Sequence, residues 1–147
     1  MTAITFHLLN DNAADAFWYY AAELCAQRAE HEQLTYVVCA THEHADGFDE
    51  YLWSYRADRF VPHTADPDDA EHAPIFIGTQ PDAGGFAYVI NLAGQPVSNP
   101  ASRDGIDEII PADEQARVEA RQRWRLYQQA GITPTHQPVD ADTTANS

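Results

Sequence analysis

Lysine is absent from this 147-residue chain. All of its positive charge rests on eight arginines, set against 23 aspartates and glutamates for a net charge of −15. Proteins that coat nucleic acid neutralise many phosphates through a broadly basic surface, so this balance argues for little or no direct DNA binding. Cysteine is scarce as well. Cys25 and Cys39 are the only two, and their separation matches neither a metal-ligand pair nor a redox pair. They are expected to be reduced core residues in a cytosol. No apolar run approaches the roughly 20 residues that span a bilayer. The amino-terminal stretch MTAITFHLLNDNAAD has no basic region before its short apolar run. A cytoplasmic protein without membrane contact is the expectation. Lysine-free, acid-rich composition further points to a salt-rich setting. At about 1 M salt the Debye length is only about 3 Å, so charge recognition there depends on close contacts.

Against that acidic background, four of the eight arginines fall within nine residues: Arg117, Arg121, Arg123 and Arg125. Helical spacing places Arg117, Arg121 and Arg125 on one face, with Trp124 beside them. A guanidinium fork matches a carboxylate or phosphate, so the strip suits an anionic ligand. The alternative is a solvated helix face on which the arginines pair with Glu114 and Glu119.

The length fits one domain, and 44% apolar residues can fill its core. Ile4–Leu9 reads as a strand, followed by a helix over 13–32 whose stripe includes Phe17, Tyr20, Ala21, Leu24 and Cys25. Thr35–Ala40 is a second strand, and Thr41 caps a helix running from His42 to about Tyr55. Residues 56–73 hold Pro62, Pro67 and an acidic run (Asp66, Asp68, Asp69, Glu71), and read as a loop. Pro74–Gly78, Ala87–Leu92 and Ile106–Ile110 are further apolar strands. Asp113 and Glu114 then suit a helix start and Gly131 a helix stop. Residues 1–132 are thus expected to form one α/β domain and 133–147 a flexible carboxyl-terminal tail. Nearly continuous apolar strands alternating with helices imply a mostly parallel sheet covered on both faces.

Two enzyme readings compete for this architecture. Thr41-His42-Glu43-His44-Ala45-Asp46 imitates the HxHxD part of a zinc-hydrolase motif, which would make His42, His44 and Asp46 ligands. Gly47 stands where that motif ends in histidine, and His63, His72 and His136 have no supporting motif. Polar residues on the exposed first turn of a helix are the simpler interpretation. A nucleotide-binding enzyme would use the carboxyl ends of the parallel strands. However, the first strand runs into Leu9-Asn10-Asp11-Asn12, with neither GxGxxG nor a phosphate-loop lysine. Gly84 and Gly85 precede a strand, which suits a turn, and nothing resembles a nucleophile elbow. No metal or cofactor is expected.

A series of landmarks completes the sequence-level picture: Asp49-Glu50-Tyr51-Leu52-Trp53, Phe60-Val61-Pro62-His63, Ala73-Pro74-Ile75, Val89-Ile90-Asn91-Leu92, and Arg121-Gln122-Arg123-Trp124-Arg125-Leu126-Tyr127 with Gly131. In this order, over residues 3–132, they resemble the bacterial DNA polymerase III chi subunit family. The resemblance implies a three-layer α/β/α sandwich, similar in shape to nucleotide-binding domains but without a phosphate loop. It implies a non-catalytic accessory subunit of the polymerase holoenzyme, paired with a psi subunit and through it with the clamp loader. It also implies capture of the acidic carboxyl-terminal tail of single-stranded DNA-binding protein. The matching tail-binding positions are Ile110, Arg117, Arg121, Trp124 and Arg125. On that reading Arg121 grips the tail's terminal carboxylate, Ile110 and Trp124 wall a pocket for its last aromatic side chain, and Arg117 and Arg125 steer the preceding aspartates. Trp124 stands where tyrosine is usual in the family. Trp53 and Phe60 match the region where psi, or a helicase competing with it, docks. Core packing is the other interpretation of both aromatics.

Overall fold

The computed structural model describes residues 2–10, 14–55, 61–66, 73–80 and 84–139. Strand β1 (Ala3–Leu9) leads to helix α1 (Ala14–Glu30), β2 (Thr35–Val38), α2 (His42–Ser54), β3 (His63–Thr64), β4 (Ile75–Gly78) and β5 (Tyr88–Asn91). A single 3₁₀ turn (Pro100–Ser102) precedes β6 (Gly105–Ile110), α3 (Glu114–Gln129) and β7 (Thr135–Val139). Among the described residues the strands form one sheet in the order β3-β4-β2-β5-β6-β1-β7, and every neighbouring pair is parallel. The inner strands β2 and β6 are buried at every position, as a sheet covered on both faces requires.

Alternation along the strands separates two cores. Val37, Cys39, Ile75, Ile77, Ile90 and Ile109 meet α1 and α2, whereas Ile4, Phe6, Tyr36, Val89, Ile106 and Ile110 meet α3. The expected three-layer α/β/α sandwich is therefore present. Both cysteines are free and buried in the first core. Burial pushes the Cys39 thiol up to about 12 and also raises Cys25, so neither supplies a thiolate.

Local chemistry explains the helix ends. Thr41 accepts a hydrogen bond from the His44 backbone N–H at 3.1 Å and caps α2. Asp113 does the same for α3 through the Ala116 N–H at 2.9 Å. At the far end of α3, Gly131 takes φ +87°, and the Gly131 and Ile132 N–H groups bond back to Gln128 and Tyr127. That closure needs a left-handed residue, which glycine adopts without steric cost.

Two sequence expectations require correction. The loop expected over 56–73 contains a short edge strand, β3, paired with β4. Most of its acidic run lies outside the described residues. The tail expected from 133 instead begins with β7, which pairs with β1 over five residues. Pro138 within it, Pro134 just before it and a polar composition hide this strand, yet a proline and polar residues suit a sheet edge. The Asn10 N–H donates to the Val139 carbonyl at 3.0 Å. Thr135, Gln137 and Val139 therefore turn their backbone groups toward β1, while His136 and Pro138 face outward. Pro138 forfeits no ladder bond there, and its missing N–H blunts the edge.

Asp107 and Glu108, adjacent on β6, point to opposite faces and anchor opposite helices. Asp107 meets His7 and Arg28 beneath α1 at 2.8 and 2.6 Å. Glu108 meets Arg123 of α3 at 3.0 Å, Asn91 at 2.9 Å and the Tyr127 hydroxyl.

Candidate anion-binding groove

Helix α3 leaves a gap between itself and the β7 edge of the sheet. The resulting cavity, about 500 Å³, has Phe6 and Leu8 from β1, His136 from β7, and Arg117, Ala120, Arg121, Trp124, Arg125 and Gln128 from α3. Its volume falls within the roughly 300–1,000 Å³ of typical ligand pockets. Trp124 tilts against Phe6, ring centroids 5.1 Å apart, and faces His136 at 6.1 Å. The apolar wall is thus aromatic and rigid.

The cationic rim has two parts. Arg117 is half-buried, and its Nη2 donates to the Leu9 carbonyl at 2.7 Å, fixing it at the carboxyl end of β1. Arg121 and Arg125 are exposed. Among the described residues, neither Glu114 nor Glu119 forms an ion pair with any of the three. Arg123, in the same cluster, turns inward to Glu108 and is 5% exposed. Spacing separates these roles: positions 117, 121 and 125 share a face, and 123 lies off it. An aromatic wall beneath unpaired guanidiniums suits a ligand that joins an apolar body to a carboxylate.

The family model described as DNA polymerase III chi subunit, HolC, matches residues 1–135. The chain belongs to the DNA polymerase III chi subunit family. The DNA polymerase III subunit chi of Pseudomonas aeruginosa is 26% identical over 132 residues, covering 89% of this chain and 92% of that protein. The protein of the same name from Escherichia coli K12 is 26% identical over 139 residues, with 90% and 95% covered. Membership of this family assigns the chain an accessory role in DNA replication, as a component of a polymerase complex.

Within that frame the structure brings Arg117, Arg121, Trp124 and Arg125 together, as expected from the sequence. It does not bring Ile110 to the groove. Ile110 is 1% exposed and lies in the α3-side core, against which Trp124 packs. The reason is that β6 is an inner strand, so its last residue is roofed by α3. Phe6 and Leu8 take the wall position expected of it. Sequence reasoning missed both, although their i, i+2 spacing in β1 marks one face. His136 carries no such signal, because β7 has no strand pattern in the sequence.

Trp53 is 59% exposed on α2, so core packing does not describe it. Its ring lies 4.6 Å from the ring of the buried His63 on β3. Phe60 falls outside the described residues. Trp53 and the groove occupy opposite faces and opposite edges of the sheet.

His42, His44 and Asp46 are exposed on the first turn of α2. Among the described residues no three His, Cys, Asp or Glu side chains are grouped to hold a metal ion. At the carboxyl ends of β2 and β5 lies a cavity of about 170 Å³ whose described lining, including Val38, Thr79, Asn91 and Val97, carries no cationic side chain. Among the described residues no helix is long and apolar enough to cross a membrane.

Proposed function

We propose that this groove receives the acidic carboxyl-terminal tail of single-stranded DNA-binding protein, and that the chain serves as a non-catalytic link between coated single strands and the replication machinery. The observation that carries the proposal is a pair of exposed guanidiniums, without an ion-pair partner among the described residues, beside the Trp124 wall on a chain of net charge −15. Arg121 grips the terminal carboxylate, and Trp124, Phe6 and Leu8 hold the last aromatic side chain. Arg125 steers the preceding aspartates, with Arg117 contributing what its bond to Leu9 leaves free. A gripped carboxylate contributes about 1.5–3 kcal/mol, an exposed steering arginine about 0.2–1 kcal/mol. Arg121 and the pocket therefore dominate.

A labelled peptide from the carboxyl terminus of the organism's own single-stranded DNA-binding protein, titrated by fluorescence anisotropy, tests this. Arg121→Ala is expected to weaken binding about tenfold or more, a change of about 1.4 kcal/mol. Absence of wild-type binding at both low and high salt would remove the reading.

On the opposite face, Trp53 docks the psi subunit, which connects the chain to the clamp loader, or a helicase competing for the same place; the family resemblance adds Phe60 to this contact. Because Trp53 is exposed, Trp53→Ala should leave the melting temperature within about 2 °C, the usual range for a surface change near 0.5 kcal/mol. The same substitution should weaken psi binding by tenfold or more, as loss of an aromatic anchor does. Unchanged psi affinity by calorimetry would count against this surface.

A further inference from the structure

The groove has a wall that the arginine strip does not account for. His136 is in register with Phe6 on parallel strands, so both side chains stand on the α3 face. Phe6 is covered by Trp124 and Tyr127. His136, one strand further out, is exposed at the cavity's edge, opposite Trp124. The charged groups lining the cavity with it are Arg117, Arg121 and Arg125 from α3. β1 contributes only Phe6 and Leu8 to that lining, and His7 points to the other face, toward Asp107. No other titratable side chain belongs to β7. Among the described residues no carboxylate pairs with His136.

We propose that His136 is a ligand-contacting residue of the groove and that its protonation tightens capture of an acidic peptide. This rests on the reading of the groove as a tail receptor. Imidazole is the side chain that ordinarily changes charge between about pH 5 and 8. An acidic ligand in the groove brings carboxylates beside the His136 ring, so peptide binding and proton uptake there favour one another, and by linkage each strengthens the other equally. Capture then strengthens as pH falls.

The test is the same labelled tail peptide, titrated at constant ionic strength at about pH 5.5 and about pH 8, a range that brackets imidazole titration. Peptide aspartates, with an ordinary pKa of about 3.9, stay ionised throughout. Wild type is expected to bind about three- to fivefold more tightly at the lower pH, the scale of one exposed charge pair. His136→Gln should bind at the weaker level at both pH values, and His136→Arg at the tighter level at both. Every other histidine is common to the three proteins, so the difference isolates position 136. An exposed edge position leaves folding intact, which circular dichroism checks. Equal pH dependence in wild type and His136→Gln, or none in wild type, would overturn the inference. Binding lost on Arg121→Ala at pH 8 would still leave the groove reading standing. No peptide binding at either pH would remove both.

Discussion

Arg123→Ala is expected to cost about 3–5 kcal/mol, the penalty for stripping one partner from a buried ion pair. At about 2–4 °C per kcal/mol for a domain of this size, the melting temperature should fall by about 6–20 °C. Glu108 is fully buried, and its carboxylate accepts from the Arg123 Nε at 3.0 Å, the Asn91 amide at 2.9 Å and the Tyr127 hydroxyl. Arg123 spends a second donor on the Gly94 carbonyl at 3.0 Å. Burial pushes the Glu108 carboxyl above its ordinary value, and Arg123 is the foremost of the groups opposing that shift. Without Arg123, burial acts with less opposition and the folded protein binds a proton that the unfolded chain does not. A raised folded pKa gives stability that is present below the ordinary glutamate value and lost as pH rises through the folded value. The deficit of Arg123→Ala should therefore be largest at high pH and shrink on acidification toward the ordinary glutamate range. Glu108→Gln combined with Arg123→Met, which removes the charge from both sides, should recover much of the loss. Thermal melts across pH would decide it, and an Arg123→Ala protein within about 1 kcal/mol of wild type would show that the pair does not hold α3.

This anchor also bears on the groove. Arg123 immediately precedes Trp124 and lies two residues after Arg121, so its bond to Glu108 fixes the rotation of α3 and with it the direction of the groove residues. Loss of the pair should weaken peptide binding even where the protein remains folded.

How much of this was legible in the sequence depended on whether a local pattern survived tertiary context. Apolar runs marked five of the strands because inner parallel strands are buried on both faces. β3 escapes a pattern search because it has only two residues, and β7 because it is polar and holds a proline, both of which suit a sheet edge. The arginine face was visible from spacing alone, since helical periodicity decides which side chains share a surface. Ile110 enters the site through the family resemblance alone, and its place at the end of an inner strand beneath α3 becomes visible only once the sheet order is known. The polar anchors at 107 and 108 were also hidden, because an acidic pair in a strand looks like a solvated surface until its neighbours across the sheet are known.

Asp107→Asn, the charge-removing change at the other anchor, is expected to lower stability at neutral pH by about 1.5–3 kcal/mol, the range for hydrogen bonds to a charged group. Tyr20, whose phenol is pushed up to about 12 by burial and by Asp107, keeps its proton and donates to the His7 Nδ1 at 2.6 Å. On that hydrogen-bond assignment the His7 Nε2–H donates to Asp107 at 2.8 Å. Arg28 reaches the second Asp107 oxygen at 2.6 Å while its guanidinium lies 4.7 Å over the Tyr88 ring. Burial raises the Asp107 pKa, but the His7 hydrogen bond and the Arg28 charge outweigh it and hold the carboxyl below its ordinary value. A depressed folded pKa gives stability that is present above the ordinary aspartate value, about 3.9, and lost as pH falls through the folded value. Wild type should thus lose this contribution below about pH 4, whereas Asp107→Asn, with nothing to protonate there, should lose less over the same range. The stability difference between the two should narrow on acidification, as for Arg123→Ala, but here because the wild type loses stability rather than because the variant recovers it. Curves that stay parallel from neutral pH to about pH 3 would mean that folding leaves the Asp107 carboxyl at its ordinary value, and that α1 is held to the sheet by packing rather than by this pair.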